Sequence, residues 1–154
     1  MKPETFEIVE KTVEPVLVAS IRFKGKYSDC STAFSRLGRS LGRRISGCFF
    51  NLYYDEGYKE NDADIESCVP ISQPVEMEGI TIRTLPAIHC ISLLHRGPYD
   101  EVGPTYEKLM AYAQEKNLKL KGPAREIYRK GPGMFFMGNP KKYLTEVQMP
   151  LAEK

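Results

Sequence analysis

The chain repeats itself, and that duplication constrains its fold more than any other feature. "FKGKYSDCSTAFSRLGRSL" (Phe23 to Leu41) lies over "HRGPYDEVGPTYEKLMAYA" (His95 to Ala113) at a constant offset. Gly25 matches Gly97, Tyr27 matches Tyr99, Phe34 matches Tyr106 and Leu37 matches Leu109. Hydrophobic phase repeats as well. Cys30, Ala33, Phe34, Leu37 and Leu41 recur at i, i+3, i+4, i+7 and i+11, and Val102, Thr105, Tyr106, Leu109 and Ala113 follow the same spacing. That is the stripe of an amphipathic helix. Each helix follows a Gly-x-Tyr turn, with Ser28-Asp29 or Asp100-Glu101 positioned to cap it or to favour its first-turn dipole.

The second halves agree too. "FFNLYYDE" (Phe49 to Glu56) lies over "AREIYRKG" (Ala124 to Gly131), placing Tyr53 on Tyr128. "DIESCVPI" (Asp64 to Ile71) lies over "LTEVQMPL" (Leu144 to Leu151), placing Glu66 on Glu146, Cys68 on Gln148 and Pro70 on Pro150. A further strand precedes each unit, roughly Phe6 to Val13 and Ile80 to Leu85, and the linker "SQPVEMEG" (Ser72 to Gly79) marks the join. The expectation is a single α+β domain over residues 1–154, built from repeats at about 1–71 and 80–151. Strand–helix–strand–strand units would form one antiparallel twisted sheet with both helices on one face. A central groove between the helices is the expected ligand site.

Composition narrows the function. A net charge of +2 is too near neutral to imply nucleic-acid or membrane binding. No apolar run approaches the roughly 18 residues of a membrane span. The N-terminus, "MKPETFEIVEKTVEP", lacks the apolar core of a signal peptide, so a cytoplasmic location is expected. Cys30, Cys48, Cys68 and Cys90 are scattered without a C-x-x-C pair and read as reduced thiols. No metal or cofactor is expected. In "RLGRSLGRR", Arg36, Arg39, Arg43 and Arg44 read as a solvated helix face, and Gly38 and Gly42 read as close packing or a frayed end.

The chemistry centres on "YLTEVQMPL" (Tyr143 to Leu151), a strand that carries the carboxylate of Glu146 in a mostly apolar run. Burying an ionised carboxylate without a partner is costly. One reading is a surface face or a structural ion pair. The other is a binding site, with Glu66 equivalent by symmetry and Tyr53 and Tyr128 on the preceding strands. Nine tyrosines and no tryptophan supply rings with polar tips. A carboxylate among such rings suits a flat cationic molecule, because cation–π attraction and the carboxylate act on one charge. Gln148 shares the Glu146 face and is placed to hydrogen-bond a ligand or Glu146. "GPGMFFMGNP" (Gly131 to Pro140) sets Met134 to Met137 between two turn signals, which suits a core hairpin, a lid or a self-association surface, with Phe136 as a cover. His95 reads as partly buried and structural.

The run "HRGPYDEVGPTYEKLMAYAQEKNLKLKGPAREIYRKGP … GNPKKYLTEVQMPL" resembles the second repeat of the GyrI-like small-molecule-binding domain. This effector-binding domain is attached to AraC-type and MerR-type multidrug-responsive regulators and also occurs alone. The likeness rests on Gly97-Pro98-Tyr99, Gly122-Pro123 before "EIY", and Asn139-Pro140…Thr145-Glu146…Pro150. It implies a duplicated sheet with a central pocket, in which the Glu matching Glu146 contacts an amphipathic aromatic or cationic ligand. Glu146, Tyr128, Tyr53, Glu66, Tyr99, Tyr27, Phe136 and Gln148 are the expected ligand residues. The family's regulators carry a helix-turn-helix region ahead of this domain, whereas here the repeat begins almost at Met1, so direct DNA binding is not expected. The leading expectation is a standalone protein that senses or sequesters small molecules. Some standalone relatives resemble hydrolases of strained cyclopropane natural products, using Glu with Tyr and Trp partners. In that alternative Glu146 is the general base, its pKa raised by semi-burial, or the group that orients water, and Tyr128 is the acid or a hydrogen-bond donor. A third alternative, an inhibitor that contacts a protein partner such as gyrase, also follows from the resemblance.

Overall fold

The computed structural model describes residues 6–130 and 139–152. Among the described residues, eight strands and two long helices are arranged in two compact units, one spanning Val13–Ile88, the other combining Met1–Thr12 with His89–Lys154. The fold is α+β, and the strand pairings within each unit are antiparallel.

In the Val13–Ile88 unit, β2 (Val16–Gly25) leads through a one-turn 3-10 segment into α1 (Cys30–Leu41), followed by β3 (Phe50–Tyr53), β4 (Ala63–Pro70) and β5 (Thr81–Leu85). The strand order is β3-β4-β2-β5. Cys30, Ala33, Leu37 and Leu41 are the buried residues of α1, as the helical spacing requires. Leu37 and Leu41 pack with Ala19, Val69, Ile71 and Ile80, and Cys30 packs with Ala63 and Ile65. Gly42, with φ of +47°, ends the helix in a backbone conformation that residues with a Cβ resist. Arg36, Arg39, Arg43 and Arg44 are exposed.

The other unit repeats the plan with β1 (Val9–Val13), β6 (Ile88–Arg96), α2 (Gly103–Glu115), β7 (Ala124–Lys130) and β8 (Leu144–Pro150), in the order β1-β6-β8-β7. Thr105, Leu109 and Ala113 are the buried residues of α2, which packs with Ile91, Leu93, Val147 and Leu151. Pro104 sits in the first turn, where its missing N–H has no intrahelical acceptor. Neither long helix has a side-chain cap. Asp29 instead accepts the Lys26 backbone N–H at 2.9 Å and closes the turn ahead of α1.

The compact units differ from the repeats of the sequence in their first strands. β1 precedes β2 in the chain but lies beside β6, while β5 precedes β6 and pairs with β2. Each unit is therefore completed by the leading strand of the other repeat.

Candidate functional site

The two repeated carboxylates occupy equivalent sockets. Glu146, 4% exposed, takes Arg129 Nε at 3.0 Å and Nη2 at 2.5 Å on Oε1, with Lys11 Nζ at 2.6 Å, Ser92 Oγ at 2.8 Å and Gln148 Nε2 at 2.8 Å on Oε2. Glu66, 3% exposed, takes Arg83 Nη2 at 2.5 Å and Nε at 3.1 Å, Ser20 Oγ at 2.5 Å and Tyr54 Oη at 2.5 Å. Ser20 and Ser92 are repeat equivalents, as are Lys11 and Arg83. Each buried acid thus meets a cation brought by the exchanged leading strand. Burial pushes the Glu146 carboxyl up, but the bonds from Gln148, Lys11, Arg129 and Ser92 outweigh it and bring its pKa down to about 2. The same competition lowers Glu66. This corrects the expectation that semi-burial raises the Glu146 pKa toward that of a general base. Full hydrogen bonding of the charged form wins over desolvation.

Strand register separates Glu146 from Tyr128. Glu146 lies opposite Ile127 and Leu94, whereas Tyr128 lies opposite Thr145. Paired residues share a face and neighbours alternate. Glu146 therefore faces one side of the β7–β8 ladder with Gln148 and Ser92. Tyr128 faces the other side with Glu126, Val147 and α2. The same parity separates Glu66, opposite Leu52, from Tyr53, opposite Ile65.

On the α2 side a second carboxylate lies among tyrosines. Glu126, 9% exposed, accepts hydrogen bonds from Tyr106 Oη on Oε2 and from Tyr128 Oη at 3.1 Å on Oε1. The Tyr99 ring lies edge-on to Tyr128 at 5.1 Å between centroids and stacks on Tyr143 at 5.0 Å. Tyr99 is 36% exposed and Tyr143 buried, so the cluster runs from the interior to solvent. Burial, with Tyr143 and Glu126 nearby, pushes the Tyr99 hydroxyl up to about 12, which keeps it protonated and a donor. His95 Nε2 lies 3.0 Å from the Pro98 carbonyl and supports the turn that presents Tyr99.

The equivalent position in the other unit is neutral. Asn51 donates from Nδ2 to Tyr53 Oη at 3.1 Å and to Cys30 Sγ at 3.3 Å, and accepts from Ser67 Oγ at 2.7 Å. Tyr27 lies 5.8 Å from the Tyr53 ring and stacks on Tyr58 at 5.3 Å. Among the expected ligand residues, the structure thus groups Tyr99 with Tyr128, Tyr27 with Tyr53, and Gln148 with Glu146. Phe136 lies outside the described residues, as does most of the 131–140 loop.

Sequence reasoning missed Glu126, Tyr106 and Tyr143. A signal was present, because Glu126 aligns with Asn51 and Tyr106 with Phe34. These are places where the second repeat carries a charge or a hydroxyl that the first lacks. Among the described residues no group of three or more His, Cys, Asp or Glu side chains is placed to hold a metal. No helix among them is long and apolar enough to cross a membrane.

Comparison with known proteins places this architecture. No curated protein matches the chain. In the EcmrR–DNA complex, EcmrR superposes with a TM-score of 0.85 at 24% identity, covering 97% of this chain and 59% of that one, so the chain spans about three-fifths of that protein's length. The EcmrR C-terminal domain alone gives 0.82 at 25% identity, covering 97% of this chain and 99% of that one. A hydrolase encoded by lin2189 from Listeria innocua gives 0.68 at 14% identity with 95% and 92% covered. SAV2435 bound to tetraphenylphosphonium gives 0.61 at 13% identity with 97% and 94% covered. The family model described as the GyrI-like small molecule binding domain matches residues 6–152, and the chain belongs to that family.

Proposed function

We propose that the protein binds amphipathic organic cations beside Glu126, with Tyr99, Tyr106, Tyr128 and Tyr143 as the aromatic surround, and so senses or sequesters them. The observation that carries this reading is a nearly buried carboxylate held by two phenol hydroxyls next to a partly exposed ring. Phenol donors hold the carboxylate in place, and ring faces attract a positive charge beside it. The neighbour SAV2435, bound to a lipophilic cation, supports the ligand class. Glu146 has a different task. Lys11 and Arg129 already oppose its charge, so a cation gains little there.

A second reading has one observation in its favour. The Tyr106–Glu126 pair is a phenol and a carboxylate in direct contact, the components of acid–base chemistry, and one neighbour is a hydrolase. Calorimetry separates binding by charge from binding by shape. Tetraphenylphosphonium should bind at least about tenfold more tightly than neutral triphenylphosphine oxide. Equal affinities would sink the cation reading, and turnover of a strained electrophile would favour the hydrolase.

A further inference from the structure

The geometry points to a second recognition surface in the Val13–Ile88 unit: a groove between α1 and the outer edge of β2 that accepts the C-terminal tail of a partner protein as an added strand. The motivating feature is an edge left open partway along a strand. β2 pairs with β4 from Val18 to Gly25, but β5 covers only Val16 to Ser20. Among the described residues no strand flanks Ile21–Gly25 on that side.

Backbone direction follows from one bond. The Leu17 carbonyl accepts from Ile71 N–H at 3.0 Å, on the β4 side, so odd-numbered residues of β2 direct their backbone groups inward. Arg22 and Lys24 therefore direct their N–H and C=O outward, beyond the last β5 partner. That is a template for an incoming strand.

The space beside this edge fits side chains. A depression of about 270 Å³ is lined by Ile21 and Phe23 from β2 and by Asp29, Thr32, Ala33 and Arg36 from the α1 side. The strand residues are i and i+2, on one face. The others are i, i+3, i+4 and i+7, on one helical stripe. An extended peptide laid along β2 would insert alternate apolar side chains here. Its intervening side chains would lie on the opposite face near Lys24, which favours acidic residues.

The groove is closed at one end. Arg36 Nη2 donates to the Glu78 carbonyl at 3.2 Å, and a Cβ built on Gly79 would lie 2.2 Å from the same nitrogen. A strand running antiparallel to β2 enters near Gly25 and reaches this barrier with its C-terminal end. It must stop there, and its carboxylate meets the Arg36 guanidinium. The partner is thus a free C-terminal tail with apolar and acidic residues alternating and an apolar last residue. This surface is separate from the Glu126 cluster.

Selection from a random hexapeptide library displayed with free carboxyl ends, followed by fluorescence anisotropy of the selected peptide, tests the assignment. Enrichment of the alternating pattern is expected. Amidation of the peptide should weaken binding at least about tenfold, as should Arg36→Glu. Lys24→Pro removes one outward N–H but leaves the inward β4 ladder intact, and it should weaken binding similarly without lowering Tm. Thr32→Arg, at an exposed groove residue, should do the same, and neither variant should change tetraphenylphosphonium binding. No enrichment, or a selected peptide that binds equally well as the amide or to Lys24→Pro, overturns the proposal.

Discussion

Replacing Glu146 by Gln keeps the shape of the socket and removes its charge. The ordinary carboxyl value of 4.5 falls to about 2 in the folded chain. At about 1.4 kcal/mol per pKa unit, that difference corresponds to an upper bound of about 3 kcal/mol. Lys11 and Arg129 are 38% and 42% exposed, so solvent screens the pair and re-solvates both cations once the charge is gone. An expected loss of about 2 kcal/mol at neutral pH is then reasonable, or roughly 4–8 °C in Tm for a chain this size. The pH dependence is more diagnostic than the size. A depressed carboxyl contributes its full stability above the unfolded pKa and loses it as pH falls through the folded value. Urea titrations of both proteins should therefore give a constant gap above about pH 5 that closes between pH 4.5 and about 2. A gap that stays constant across that window would refute the assignment of the stability to the ionised carboxylate.

Other expectations follow from the same contacts. Arg83→Met leaves the buried Glu66 carboxylate with only hydroxyl donors, so it should cost about 3 kcal/mol and more than Glu66→Gln, as compared by urea melts. Tyr106→Phe deletes one phenol donor to Glu126 and should weaken tetraphenylphosphonium binding several-fold while lowering stability by about 1–2 kcal/mol, checked by calorimetry and thermal melts. Ultraviolet titration of the folded protein should show Tyr54 and Tyr99 ionising near pH 12, and Tyr99→Phe should remove part of that late step.

Self-similarity within the sequence made much of the fold legible. Helical spacing located α1 and α2, and alternation located β4 and β8, because burial of one face is written directly in the order of residues. Which leading strand joins which repeat was not legible. β1 and β5 are equivalent in pattern, and only pairing distinguishes their neighbours. The site followed the same division. The sequence pointed to a carboxylate among tyrosines, but Glu146 and Tyr128 lie in different strands, and their relative face depends on register. The Ile127–Glu146 pairing decides it, and that pairing sets Glu126 among the rings instead. Lys11, Ser92 and Arg129 escaped notice for a related reason: each is an ordinary surface-compatible residue until three strands bring them to one carboxylate.

The most direct test of the account compares two conservative substitutions in one assay. The dissociation constant for tetraphenylphosphonium should rise at least about tenfold in Glu126→Gln and stay within about twofold of the parent protein in Glu146→Gln. Unchanged affinity in the first, or a large loss confined to the second, would contradict it.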